Sequence, residues 1–245
     1  MESIILAKRN SRRHKLVAAY RALDGLDSCL SPRRSEKIEK PDIGPLNSYI
    51  PFEQGPFYNA QTLAAYLSEY FNNCVLPDRE SEPAGAQYSD WGNFGFGDLV
   101  DLTRGSRWQV KTTWHMPQSG VPHMVVMMFS EMAKGQALFH GEIKTAIRIM
   151  HRRLKTSALR QHILAPVSWP NTKTQLSLPD AKLEVLLFSA IGEHHLRVIK
   201  AYHDDEQLVM RTTPLFDLRK RDDDLFIQLS RWCLGGPSSK PTTPT

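Results

Sequence analysis

The stretch SDWGNFGFGDLVDLTRGSRWQVKTTW, residues 89–114, decides how the chain is expected to fold. Two of its runs, residues 97–102 and 107–113, show the period-two alternation that is typical of strands. The link between them, residues 103–106, is short and contains Gly105, as hairpin connections commonly do. The stretch therefore predicts an antiparallel β-hairpin, around which the remaining elements can be placed.

The rest of the chain predicts helices and further strands. Helical spacing of apolar residues predicts helices at residues 12–24, 59–73, 137–162 and 222–234, of which the third is one long helix or two with a break. Alternating runs at residues 184–189, 196–202 and 207–212 predict an antiparallel meander, whereas the apolar run at residues 124–129 fits strand or helix. We therefore expect an α/β or α+β fold, in which helices flank a mixed central sheet with an antiparallel hairpin and a C-terminal meander.

Composition indicates one main domain. A chain of 245 residues with 41% apolar residues is long enough for one sizeable core. We expect a basic N-terminal helix and linker at residues 1–45, a single α/β domain at residues 46–236 and a disordered tail at residues 237–245. The chain has no apolar run of some 18 residues or more and no secretory leader, which predicts an intracellular protein, cytoplasmic or nuclear, without a membrane partner.

The positive charge is concentrated near the N-terminus. Residues 1–40 hold ten Lys and Arg against five Asp and Glu, which accounts for the whole net charge of +5. Such a basic arm can contact the phosphate backbone of a nucleic acid or act as a nuclear import signal. A solvated helix end or a flexible leader has the same composition, so both interpretations stay open.

The predicted hairpin also carries a pattern that resembles a nuclease family. Asp98 on the first strand, followed by Gln109 and Lys111 on the second, resembles the core of the PD-(D/E)xK restriction-endonuclease-like superfamily, in the branch where glutamine replaces an acidic residue. The resemblance implies a metal-dependent nuclease-like domain that acts on phosphodiester bonds with Mg²⁺ or Mn²⁺. Asp98 and the Gln109 carbonyl would bind the metal, and Lys111 would stabilise the attacking water and the phosphate.

The turn decides which aspartate shares a face with Gln109 and Lys111. A connection of two or four residues places Asp98 opposite Lys111, whereas a connection of three residues gives that face to Asp101, which would then be the metal ligand. The resemblance favours Asp98, because its longer separation from Gln109 and Lys111 fits the pattern of the family better. Three further residues are possible accessory groups for the same site: Glu69, Asp90 and His115.

Two interpretations without catalysis stand beside this one. In the first, Trp91, Phe94 and Phe96 join the basic arm in a non-catalytic binding or scaffold protein that engages a protein or a nucleic acid and needs no cofactor. In the second, the polar residues of the hairpin form its solvated face, while Trp108 and Val110 point inward.

The C-terminal third, residues 185–226, resembles proteins of filamentous fungi, which implies a source but no activity. Whether the chain is an enzyme, and in what oligomeric state it exists, stays open at this point.

Overall fold

A computed structural model of the chain describes residues 2–27, 55–74, 87–89, 99–101, 107–115, 124–132, 137–155, 184–203, 206–220 and 222–234. Within these residues lie four helices: α1 (Glu2–Asp27), α2 (Pro56–Asn73), α3 (His140–Lys155) and α4 (Asp223–Leu234). They also contain eight strands: β1 (Gln87–Ser89), β2 (Val100–Asp101), β3 (Trp108–His115), β4 (Met124–Ser130), β5 (Glu184–Ile191), β6 (His195–His203), β7 (Leu208–Thr212) and β8 (Phe216–Asp217). The expected domain boundaries, at residues 45 and 236, fall outside these ranges.

All eight strands belong to one mixed sheet of the α+β class. The main path runs β1-β3-β4-β5-β6-β7, with β2 also paired to β3 and β8 to β6. The β4–β5 pair is parallel and is separated in the chain by α3, whereas the other described pairs are antiparallel. The predicted pairing of the hairpin strands and the predicted C-terminal meander, β5 to β7, are both confirmed. The apolar run that fitted strand or helix is strand β4, buried along its entire length.

Strand β3 contains a bulge at Lys111. Val110 pairs with Met128 and Thr112 pairs with Met127, so Lys111 is the extra residue on its strand. The bulge reverses the alternation of side chains: Trp108 and Val110 belong to one core cluster, and Trp114 belongs to the cluster on the opposite face. Both faces of the sheet are therefore covered at this strand.

Helices α1 and α3 cover one face. Leu16 of α1 joins Ile147, Met150 and Leu154 of α3 in a cluster with sheet residues such as Val126. The first predicted helix thus finds its packing partner in α3. It is also longer than predicted, because the helical segment continues on both sides of residues 12–24.

Helices α2 and α4 cover the opposite face with aromatic residues. Phe71 of α2 is fully buried, and its ring centroid lies 5.3 Å from that of Phe188 on β5. Phe226 of α4 contacts the ring of Tyr70, with 5.1 Å between the centroids. The predicted start of α2 at residue 59 is wrong: the helix begins at Pro56, and Asn59 lies buried inside the first turn.

Candidate functional site

The register of β2 on β3 bears directly on the predicted metal ligands. Val100 lies opposite Gln109 and Asp101 lies opposite Trp108. Directly paired residues share a face, so the position of Asp101 is on the face of Trp108 and not on that of Gln109. The alternative in which Asp101 joins Gln109 and Lys111 required the other register. The observed register is the one on which the Asp98 alternative depends, although Asp98 itself lies outside the described residues.

Gln109 and Lys111 are half-buried on a strand that is covered on both faces. Gln109 is paired with Phe129 of β4, a member of the aromatic cluster under α2. The period-two rule that put Gln109 and Lys111 on one face assumes a regular strand, and the bulge interrupts the strand at Lys111. Trp108 and Val110 point into the core, as the sequence predicted.

The remaining predicted residues contribute little to a site in the described part of the chain. Asp90, Trp91, Phe94 and Phe96 lie outside it. His115 occupies the last position of β3, opposite Gln87 and Met124 in the register, and its side chain is not among those described. Glu69 is exposed near the C-terminal end of α2. No group of three or more His, Cys, Asp or Glu that could hold a metal ion is found among the described residues.

A different concentration of charge lies where α1 packs against α3, and we call these two helices the basic helix pair. Together they carry eleven cationic side chains: Lys8, Arg9, Arg12, Arg13, Lys15 and Arg21 in α1, and Lys144, Arg148, Arg152, Arg153 and Lys155 in α3. The acidic residues of α1, Glu2, Asp24 and Asp27, are confined to its two ends. The middle of the pair is therefore strongly positive.

The single acidic residue of α3 neutralises a cation of the sheet instead. Glu142 is fully buried, and its Oε1 accepts a hydrogen bond of 2.7 Å from Nε of Arg197 on β6. Its Oε2 contacts Nη2 of the same guanidinium and accepts a hydrogen bond from the Phe139 backbone N–H. Burial raises the pKa of the Glu142 carboxyl, and Arg197 opposes that rise. Glu142 is thus committed to Arg197 of the sheet.

The two helices run antiparallel and meet through polar contacts. Arg9 near the start of α1 donates from Nε to the Leu154 carbonyl at the end of α3. Toward the other end of α1, the guanidinium of Arg148 lies 4.7 Å from the centroid of the Tyr20 ring, and its Nη2 contacts the Tyr20 hydroxyl. Within the described part of the chain, Arg148 thus interacts with the phenol of Tyr20.

A cleft of about 340 Å³ opens between the two helices. Its lining combines aliphatic, aromatic and cationic side chains: Leu16, Val17, Tyr20 and Arg21 from α1, and Ile147, Arg148, His151, Arg152 and Lys155 from α3. None of the described residues of the lining carries a carboxylate. The cleft thus has an apolar part between the helices and four permanent positive charges around it.

The titration of His151 reports the field in this cleft. Burial, reinforced by the charges of Lys155, Arg13, Arg152 and Arg148, lowers the pKa of His151 to about 4. Burial also lowers the pKa of Arg153, in the last turn of α3, to about 10. Burial is the largest cause of the lowered pKa of His151 and the neighbouring cations add to it, so an anion bound in the cleft would oppose the contribution of the cations.

Sequence reasoning missed the basic helix pair as a unit. It recorded the basic N-terminal segment and predicted the third helix, but did not bring the two together. The available signal was the excess of Lys and Arg over Asp and Glu in residues 1–40. Such a count does not show which distant helix packs against the basic segment.

Comparison of this chain with protein families, with curated proteins and with solved structures gave no match. None of the helices in the described ranges has the length and apolar character needed to cross a membrane.

Proposed function

We propose that this protein binds nucleic acid through phosphate contacts made by the basic helix pair. The observation that carries the proposal is the concentration of eleven cations on two packed helices, where the acidic residue of α3 is committed to Arg197. Lys and Arg that contact phosphates release condensed counterions, which favours binding to any nucleic acid sequence. Arg21, Arg152 and Lys155 are exposed, so their cationic groups can reach a phosphate.

Helix capping explains only part of this charge. Arg152, Arg153 and Lys155 lie in the last turn of α3, where a cation stabilises the helix end by about 0.3–1 kcal/mol. Arg21 and Arg148 lie away from any helix C-terminus, and both line the cleft. Since like charges on neighbouring helices repel one another, their retention in the middle of the pair favours an anionic ligand.

The test is a titration of fluorescein-labelled DNA with the full chain at several salt concentrations. We expect the affinity to fall steeply with salt, by a logarithmic slope of about −0.7 to −0.9 for each phosphate contact. Arg152→Glu should weaken binding by about fivefold or more and flatten the slope. Arg231→Glu is the matched control, because Arg231 is also an exposed arginine in the last turn of a helix, α4.

Two results would contradict the proposal. The first is the absence of binding at low salt. The second is an equal loss of affinity in both variants, since this would indicate a general charge effect and not a site on the basic helix pair.

A metal-dependent nuclease-like activity is our second candidate, supported by the pairing of Val100 with Gln109, the register that the Asp98 alternative requires. Asp98, Gln109 and Lys111 would carry it with Mg²⁺ or Mn²⁺. The fit of such a metal is incomplete in the described residues, because Gln109 supplies a neutral oxygen and no acidic cluster accompanies it. We therefore derive no catalytic step from it.

Incubation of the purified protein with DNA and RNA in Mg²⁺ or Mn²⁺ tests this candidate. If the protein is a nuclease, Lys111→Ala should abolish cleavage, whereas Lys200→Ala, which changes a strand lysine paired with Glu184, should leave it intact. Cleavage that survives Lys111→Ala would indicate a contaminant or another site. Binding measured in EDTA separates this outcome from that of the first proposal.

A further inference from the structure

We propose that the cleft of the basic helix pair holds one unstacked nucleotide, so that the protein prefers single-stranded nucleic acid to duplex. This inference rests on the proposed function and specifies its ligand. The volume of the cleft, about 340 Å³, lies at the lower end of the range of small-ligand sites, which is about 300–1,000 Å³. A site of this size accommodates one nucleotide and not a helical segment of nucleic acid.

The lining matches the two parts of a nucleotide. Val17 and the Tyr20 ring, both half-buried, offer the base an apolar and aromatic surface beside Leu16. Arg152 and Lys155, both exposed, stand on the α3 side of the same cleft, where they can contact a phosphate. Binding of single strands commonly combines such a stacking side chain with cations that follow the backbone.

Tyr20 is held in place for this role. The Arg148 guanidinium lies over its ring at 4.7 Å and also contacts its hydroxyl, and the Lys144 ammonium lies 5.9 Å from the ring centroid. These contacts fix the ring before a ligand arrives, which reduces the entropy lost on binding.

A duplex cannot use this surface in the same way. Its bases are stacked inside the helix, so that a cleft between two surface helices would meet only phosphates. Electrostatic attraction would then remain, but the contribution from Val17 and Tyr20 would be lost. The preference for single strands is therefore expected to depend on the aromatic ring, whereas binding to duplex should depend on charge alone.

The experiment measures binding of two labelled ligands at one salt concentration. The first is a single-stranded oligothymidylate of twelve nucleotides, and the second is the duplex that this strand forms with oligodeoxyadenylate. We expect the single strand to bind at least about tenfold more tightly. Tyr20→Leu should lower the affinity for the single strand about tenfold and leave the affinity for the duplex unchanged, while Tyr20→Phe stays within about twofold of the native protein. Retained duplex binding also serves as the check that Tyr20→Leu is folded.

Photocrosslinking of native protein to an oligonucleotide that contains 4-thiothymidine gives a second measurement, which does not depend on the variants. Crosslinks within residues 16–21 or 147–155 support the inference, and crosslinks elsewhere overturn it. Two results would overturn this inference and leave the charge-based binding function in place. One is equal affinity for single strand and duplex, and the other is displacement of the strand by anionic phospholipid vesicles at the same phosphate concentration. Failure of both nucleic acids to bind would instead remove the proposed function, and this inference with it.

Discussion

The two helical layers on the sheet have opposite characters. Helix α2 contains no Lys or Arg and α4 contains one, whereas α1 and α3 contain eleven. The α2–α4 layer packs aromatic rings against the sheet, among them Phe71 and Phe226. The α1–α3 layer packs mainly aliphatic side chains such as Leu16 and Ile147, and surrounds them with cations.

Under the proposed function, this difference separates the source of stability from the binding site. Aromatic contacts add about 0.5–1.5 kcal/mol per pair to the free energy gained by burial, so the α2–α4 layer stabilises the fold. In the α1–α3 layer, by contrast, Arg12, Lys144 and Arg153 are buried in a pair of helices that carries eleven cations. Burial of a charge costs free energy, and the anionic ligand of the proposed function would offset part of that cost.

The largest expected effect tests where stability resides. Phe71→Ala should lower the free energy of unfolding by about 3–5 kcal/mol, because the fully buried ring contacts those of Phe188, Trp114 and Tyr70. Tyr20→Ala removes a half-buried ring from the α1–α3 layer and should cost clearly less, about 1–2 kcal/mol. Urea denaturation followed by circular dichroism measures both. Equal losses would remove the contrast between the layers.

The packing of α3 on the sheet gives the next effect. A Cβ atom at Gly141 would lie 2.6 Å from Cγ of Trp108 and 2.6 Å from Cε2 of Phe139, so the glycine is required by close approach of two rings. Gly141→Ala should therefore lower the free energy of unfolding by about 1–3 kcal/mol through overpacking. The same denaturation experiment tests it. If Gly141→Ala were as stable as the native protein, α3 would lie farther from β3 than the structure places it.

Charge repulsion within the basic helix pair gives a smaller effect. Arg152→Gln and Arg231→Gln each remove an exposed arginine from the last turn of a helix, so both lose a similar interaction with the helix end. Only Arg152→Gln also relieves repulsion among neighbouring cations. At low ionic strength we expect Arg152→Gln to be more stable than Arg231→Gln by about 1 kcal/mol, a difference that shrinks with added salt. A difference of the opposite sign would show that Arg152 is compensated.

Local patterns in the sequence predicted most of the fold. The stripe of Ile147, Met150 and Leu154 gave α3, and the alternation in residues 184–212 gave the meander. Strand β4 escaped assignment because both of its faces are buried, which removes the alternation that distinguishes a strand. The first and second helices were misplaced at their ends, where several residues can serve as caps.

The candidate site depended on information that local patterns lack. The relation of Gln109 to Lys111 changed through a one-residue bulge, for which the run from Arg107 to Thr113 gives no signal. The basic helix pair arises from contact between residues some 130 positions apart, such as Tyr20 and Arg148. Such contacts follow from tertiary packing, and a single sequence does not reveal them.

The smallest expected effect is the pH dependence of binding that the protonation of His151 would cause, and it tests the difference between the two helical layers most directly. Its pKa is lowered to about 4 by burial and by four cations from both helices. A bound nucleic acid would neutralise those cations and raise the pKa part of the way back, because the contribution of burial would remain, so binding would take up protons. Affinity should therefore rise as the pH falls from 7 to 5, by about threefold.

Fluorescence anisotropy at constant ionic strength measures this dependence. His151→Gln should remove it, because glutamine does not titrate, whereas His194→Gln, in the turn between β5 and β6, should retain it. If the dependence on pH persisted in His151→Gln, the protons would be taken up elsewhere on the chain. The ligand would then not occupy the space between α1 and α3, and the contrast between a stabilising layer and a binding layer would lose its chemical basis.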